Sequence, residues 1–207
     1  MVEDESPDIL KRLLRLVQVA SNPRLIDESY SVKPGKFEYL LDLVAKIVQQ
    51  SEKCIVWSSF TDNVDWLADE LSNFGTCKIH GKLTMDKRNR AIDDFLSDKE
   101  TRVLVATPGA AKEGLTLTTA NHVIFYDRGF SPDDYLQAQD RIHRISQKKT
   151  CYVYNLIMDN SIDEWVDSLL EGKILAAQLA QGDISLDYYK SQMLYDFGEV
   201  LRNILGN

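Results

Sequence analysis

Residues 137–147 read Gln-Ala-Gln-Asp-Arg-Ile-His-Arg-Ile-Ser-Gln and set Arg141 and Arg144 three positions apart. Residues at i and i+3 share a face of a helix. The spacing therefore predicts two guanidinium forks turned toward one target from a single helix turn. Arginine keeps its charge and meets phosphate in bidentate fashion, so that target is an anion with demanding geometry. Two arginines reaching a γ-phosphate from a separate lobe form the arginine-finger arrangement of nucleotide hydrolases. An isolated Arg-x-x-Arg is otherwise a solvated basic turn. The elements around the pair decide between the two.

Those elements alternate. Lys53–Ser58 is a short apolar run, and Val64–Phe74 follows with helical spacing at Val64, Leu67, Ala68 and Leu71. Thr76–His80 is strand-like. Thr84–Leu96 is helical, with Thr84 expected to cap it and Ala91, Ile92, Phe95 and Leu96 expected on its inner face. Arg102–Thr107 and Asn121–Asp127 are further buried strands, separated by a Gly/Ala-rich turn. Ser131 and Pro132 have N-cap and N1 character and open the helix expected to carry the arginines. Thr150–Met158 supplies another strand, while Pro7–Ala20, Lys36–Gln50 and Ser161–Asn207 form helical flanks. The alternation predicts an α/β fold, a mainly parallel RecA-like sheet with helices on both faces and at both ends. Ligands of such sheets gather at the carboxyl ends of the strands. The loops Ser58–Phe60, His80–Lys82, Thr107–Gly114 and Asp127–Ser131 would lie there. Boundaries follow as a helical lead-in over 1–35, the lobe over 36–160 and a helical extension packing on it over 161–207.

Composition narrows the classes. In 207 residues, 44% hydrophobic and 27% charged describe an ordinary globular chain. No apolar run approaches the ~20 residues of a membrane span. The acidic start, Met1–Asp8, lacks the pattern of a signal peptide. Cys54, Cys77 and Cys151 are scattered and read as reduced core thiols of an intracellular protein. His80, His122 and His143 are equally dispersed, and no metal site is expected. A net charge of −8 argues against indiscriminate coating of nucleic acid. Local basic runs remain: Lys78, Lys82, Lys87, Arg88 and Arg90 in one, and Arg141, Arg144, Lys148 and Lys149 in the other. They are compatible with a one-sided phosphate-binding face or with two solvated surfaces.

Taken in order, these segments resemble the second RecA-like lobe of a superfamily-two helicase of the Swi/Snf branch. Lys53–Phe60 is similar to motif IV, and Ile79-His-Gly-Lys-Leu-Thr84, with Arg88 and Phe95 downstream, to the glycine-turn element after it. Val103–Asp127 resembles motif V with its strand, and Gln137–Gln147 resembles motif VI. Ser21–Ile26 and Lys36–Leu41 resemble the family's lead-in, so the likeness covers about residues 10–170. It implies that Arg141 and Arg144 complete an ATP site, with Gln137, Gly114 and Thr116 near the nucleotide. It implies further that Ser59, Lys82, Thr107 and Lys112 face a DNA strand. Three departures stand out. Ala110-Ala111-Lys112 replaces Ala-Gly-Gly, Phe130-Ser131-Pro132 replaces Trp-Asn-Pro, and Ser146 replaces a glycine. Phe130 fits either a stacking contact with DNA or a core position.

A phosphate-cradling Gly-x-x-x-x-Gly-Lys-Ser/Thr loop does not occur in the sequence, nor does an apolar strand ending in Asp-Glu. Asp69-Glu70 falls inside a helix. The expectation is half of an ATP site, with ATP and Mg²⁺ held mainly by an N-terminal RecA-like lobe of the same polypeptide and duplex DNA as the track. Alone, the chain is expected not to hydrolyse ATP. The alternative is a non-catalytic lobe that binds DNA or a protein partner; in its acidic helical tail Ile162, Trp165, Leu169 and Leu170 are apolar and either dock on a partner or, more simply, pack back on the sheet as a brace across the lobe. A dinucleotide-binding enzyme is excluded by the lack of Gly-x-Gly-x-x-Gly after the first strand. The expected setting is intracellular, cytoplasmic or nucleoid in a bacterium or virus and nuclear in a eukaryote, with no membrane contact. The sequence does not define an oligomeric state.

Overall fold

The computed structural model describes residues 6–111, 117–144 and 147–192. Five strands form one sheet: β1 (Cys54–Trp57), β2 (Thr76–Ile79), β3 (Val103–Ala106), β4 (His122–Phe125) and β5 (Tyr152–Asn155). All four pairings are parallel, in the order β2-β3-β1-β4-β5. Central β1 aligns Cys54 with Val103 on one side and with His122 on the other. β1, β3 and β4 are buried along their full length. This is why each reads as an uninterrupted apolar run rather than an alternating one. β5, at the sheet edge, is mostly exposed and shorter than the Thr150–Met158 run suggested.

Seven α-helices occur among the described residues: α1 (Ser6–Ser21), α2 (Gly35–Gln49), α3 (Thr61–Glu70), α4 (Met85–Ser97), α5 (Pro132–Gln139), α6 (Ile162–Gln181) and α7 (Leu186–Gln192). Side-chain alternation along the strands divides the core. Cys54 and Val56 of β1 face α2 and α3, where Phe37, Leu40, Val44, Val64 and Leu67 pack. Ile55 and Trp57 face the opposite layer, with Phe95 of α4 and Ala138 of α5. A third cluster joins Leu13 and Val17 of α1 to Trp165, Val166 and Leu170 of α6. Trp165 thus braces the lobe through α1 rather than by lying on the sheet.

Two details of α4 differ from expectation. Thr84 occupies the N-cap position and its carbonyl accepts the first helical bond from Arg88 N at 3.0 Å, but its side chain makes no capping hydrogen bond. Leu96 is 37% exposed, because Phe95 takes the buried direction and the next residue lies about 100° around the helix. At Ser131 the capping reading is met: its hydroxyl accepts from Asp134 N, and Pro132 is the first helical residue. No helix among the described residues is long and apolar enough to cross a membrane.

Candidate functional site at the carboxyl edge

The chain passes from β3 on one side of β1 to β4 on the other. The carboxyl ends of β1 and β4 therefore flank the topological switch point, where parallel sheets hold their ligands. Successive helices fall on opposite faces here, α3 after β1 and α5 after β4, and the loops leave a gap. The gap is a cleft of about 490 Å³, lined among others by Ser59, Arg88, Thr107, Gly109, Phe130 and Ser131.

A buried carboxylate shapes this edge. Asp127 is 3% exposed and stands just past the end of β4. Its Oδ2 accepts from Ser21 Oγ at 2.7 Å, Ser58 Oγ at 2.6 Å and Asn63 Nδ2 at 3.2 Å, and its Oδ1 accepts from Ser59 N at 2.6 Å. Asn63 Nδ2 also lies 3.0 Å from Ser21 Oγ, and Asn22 Nδ2 donates to Asn63 Oδ1 at 3.1 Å. One side chain thereby ties the end of α1, the β1–α3 turn, the first turn of α3 and β4 together. Buried polar groups persist when every partner is matched, as here. The turn that presents Ser59 is fixed by this knot. Asp127 belonged to an expected strand and edge loop without a role of its own. The signal was a polar residue ending an apolar run at the carboxyl edge.

α6 fastens the next loop. Arg128 pairs with Asp167 at 2.5 Å and lies over the ring of Tyr135, 5.5 Å from its centroid. Lys173 Nζ donates to Phe130 O at 2.7 Å. The Phe130 ring meets Trp165 edge-on, with centroids 5.9 Å apart. Lys36 forms a buried ion pair with Asp163 and donates to Tyr126 O at 3.2 Å. Phe130 is thus half-buried against α1 and α6 while still lining the cleft.

The arginines sit differently from the helical expectation. α5 ends at Gln139, with Asp140 as its C-cap, so Arg141 and Arg144 lie in the turn beyond it and do not share a helix face. Tertiary contacts hold this turn. Ile142 is fully buried in the core. Arg141 O accepts from Leu117 N at 3.0 Å, and Ile142 O lies 3.3 Å from Gln147 Nε2. Past Gln139 the backbone tightens into an i→i+3 turn, with Ile142 N donating to Gln139 O at 3.3 Å. Arg144 is exposed, whereas Arg141 is only 6% exposed. Burial and then the neighbouring Arg144 charge lower the Arg141 pKa, which for a guanidinium leaves the charge in place. Gln137 is exposed on α5.

Of the remaining candidates, Ser59, Thr107 and Phe130 converge on the cleft. Lys82 is exposed and pairs with Asp62 at 2.5 Å, a contact that raises its pKa. Lys78 pairs with Asp65 at 2.7 Å, and Arg88 donates to the carbonyls of Leu83 and Gly81 at 3.0 and 3.2 Å. The basic run 78–90 is therefore partly neutralised by a row of acids on α3. Lys112, Gly114 and Thr116 lie outside the described residues. Among those residues, no group of three or more His, Cys, Asp or Glu side chains forms a metal site.

A parallel five-stranded lobe with its cleft at the switch point and an arginine-bearing turn after the fifth helix defines a RecA-like lobe of helicase type. The family model for the helicase conserved C-terminal domain matches residues 35–146. The ISWI chromatin-remodeling complex ATPase ISW1 of Saccharomyces cerevisiae is 32% identical over 160 residues, covering 76% of this chain and 14% of that protein. The C-terminal part of the Fun30 ATPase domain superposes with a TM-score of 0.63 at 30% identity, covering 76% of this chain and 53% of that one. The Sulfolobus solfataricus SWI2/SNF2 ATPase core in complex with dsDNA gives a TM-score of 0.74 at 24% identity, covering 99% and 43%. The chain belongs to the helicase conserved C-terminal domain family, in its SWI2/SNF2 branch. It spans 13–17% of the length of the first curated relatives it matches.

Proposed function

We propose that the chain is the second motor lobe of an ATP-dependent, DNA-stimulated translocase, built as a lead-in over 1–35, a RecA-like lobe over 36–160 and a bracing extension over 161–207. The observation that carries the reading is the Asp140–Arg144 turn of a helicase C-terminal domain. It presents Arg144 to solvent, beside a buried Arg141, on a segment anchored by a core isoleucine. An exposed guanidinium on a turn anchored by Ile142 suits a polyphosphate brought by another lobe. In this reading Arg144 and Arg141 approach the γ-phosphate, and Gln137, Gly114 and Thr116 lie near the nucleotide.

Ser59, Lys82, Thr107, Lys112 and Phe130 make up the DNA face. Duplex DNA is the favoured track, since a solved SWI2/SNF2 core of this fold is described in complex with dsDNA. The phosphate-cradling loop and the carboxylates for Mg²⁺ belong to the N-terminal lobe, so this chain alone turns over no ATP.

ATP turnover by the parent polypeptide tests the reading, measured without DNA, with single-stranded DNA and with duplex DNA. Loss of an arginine finger costs about 10³-fold or more. Arg144→Ala should therefore abolish duplex-stimulated turnover while the protein stays folded. Full turnover in that variant would refute the assignment.

A further inference from the structure

The turn that carries the arginines is held by a side chain to which the reading above gives no task. Gln147 Nε2 lies 2.9 Å from Ala120 O, 3.3 Å from Thr118 O and 3.3 Å from Ile142 O. Its Oε1 accepts from Lys149 N at 3.0 Å, and its backbone N donates to Arg144 O at 2.8 Å. The amide therefore faces carbonyls of two segments, the arginine turn and the stretch 117–120 that leads into β4. Leu117 N donates to Arg141 O at 3.0 Å and adds a backbone rung to the same junction. Residue 117 follows directly on Thr116 and stands three positions after Gly114 in the chain.

We propose that Gln147 is a positioning residue for the arginine pair, a clasp that fixes the Arg141–Arg144 turn against the segment entering β4. The proposal rests on the motor-lobe reading. The chemistry explains why an amide is needed. Three carbonyl oxygens converge on one point, and only a donor group can sit among them. Two N–H bonds shared over three acceptors satisfy them, and the opposite oxygen of the same amide fastens the outgoing chain at Lys149. A carboxylate would place a fourth oxygen among the three carbonyls, and a thioether would leave them without a donor.

An exposed arginine loses little free energy by swinging, yet its contribution to a transition state depends on where it stands. A displacement of about 1 Å from productive geometry can lower a rate ~10²-fold. Loosening the clasp should therefore lower kcat and leave binding of substrate and DNA nearly unchanged.

The experiment uses the full parent protein and duplex-stimulated ATP turnover, with Gln147→Met, Gln147→Glu, Arg144→Lys, Arg144→Ala and the double variant Gln147→Met/Arg144→Lys. Gln147→Met should lower kcat about 10- to 100-fold, with KM for ATP and the duplex Kd within about twofold. In the Arg144→Lys background the same change should have a smaller, less than additive effect, because part of the clasp's action passes through that arginine. Gln147→Glu should be as impaired at neutral pH and regain turnover, relative to wild type, as acidification protonates its side chain into a donor.

A purely structural role gives additive losses in the double variant and no recovery with pH, and would overturn the proposal. So would kcat within twofold of wild type in Gln147→Met. Full activity in Arg144→Ala would remove the underlying motor-lobe reading instead. If Gln147→Met fails to fold, the pH profile of Gln147→Glu decides the matter by the same criterion.

Discussion

Replacing Asp127 is the sharpest test of what holds the carboxyl edge. Asp127→Asn keeps the volume and removes one acceptor from a site that receives four donors. Two orientations are available. With its oxygen toward Ser59 N, the new amide group faces Ser21 Oγ, Ser58 Oγ and Asn63 Nδ2. The serine oxygens already accept from Asn63, and Ser58 Oγ also accepts from Phe60 N at 3.3 Å, so they cannot all reverse their roles. With the amide turned round, two N–H groups confront each other where 2.6 Å now separates Ser59 N from Oδ1. Either way at least one buried donor loses its acceptor, a cost of about 1–3 kcal/mol. Asp127→Ala should cost roughly 3 kcal/mol or more, since all four donors lose the carboxylate and, while Asn63 keeps the serine oxygens, Ser59 N is left without its acceptor. Ser21→Ala should cost about 1 kcal/mol, because the carboxylate keeps its other three donors. Urea unfolding followed by tryptophan fluorescence orders the three variants. A loss below about 0.5 kcal/mol for Asp127→Asn, which is the range of an ordinary surface change, would show that the knot does not hold this edge.

Two further outcomes follow from parts remote from the cleft. Glu52, at the amino end of the sheet, accepts from His122 Nε2 at 2.6 Å, Lys149 Nζ at 3.0 Å and Asn121 Nδ2 at 3.2 Å; the His122 contact, then Lys149, lowers its pKa to about 2. A depressed carboxylate stabilises the fold above its unfolded value and loses that contribution as pH falls through the folded one. Stability should drop between about pH 4.5 and 2, and Glu52→Gln should flatten that limb in acid titrations of unfolding; an unchanged slope would assign it to other carboxylates. Gly75 has φ +64°, and a Cβ there would stand 1.9 Å from Glu100 O. Its carbonyl accepts from Arg102 N and Val103 N at 2.8 and 3.2 Å, so the backbone cannot simply move away. Gly75→Ala should cost at least about 2 kcal/mol by chemical denaturation, from left-handed strain plus the clash. A smaller loss would mean that the β2–β3 connection yields.

What the sequence disclosed and what it withheld divide along physical lines. Buried parallel strands must be apolar on both faces, so β1, β3 and β4 stand out as runs, and loop positions follow from them. The end of α5 was hidden because the turn after it is held by tertiary contacts to Leu117 N and the Gln147 amide, which helical periodicity does not register. The Asp127 knot was hidden for a related reason, since Ser21 and Asp127 are 106 positions apart and serine carries no periodic signal. Phe130 remained open between DNA and core; the structure gives it Trp165 on one side and the cleft on the other. Candidates carried by family resemblance fared unevenly for reasons of geometry. Ser59 and Thr107 sit on neighbouring loops and meet at the cleft, whereas Lys82 reaches across to α3.

That reach bears on the proposed phosphate-binding face of an acidic chain. Asp62, Asp65 and Asp69 recur at helical spacing along α3 and face Lys82, His80 and Lys78. Within the basic run, Lys78 and Lys82 are thus not free charges; they rest on carboxylates of the same lobe. Lys82 and Asp62 are 66% and 71% exposed, and an ion pair so open to water is weakly held and screened by salt. A phosphate arriving beside Lys82 would exchange with Asp62 rather than fill a vacant site, and Asp62 would be left near the incoming anion. On the proposed reading such a face would discriminate by position: a strand whose phosphates coincide with Lys78 and Lys82 would gain contacts, while one out of register would meet the α3 carboxylates. In the motor lobe proposed above, exchangeable pairs of this kind would serve better than a permanently positive surface, and they would reconcile a net charge of −8 with the proposed DNA face.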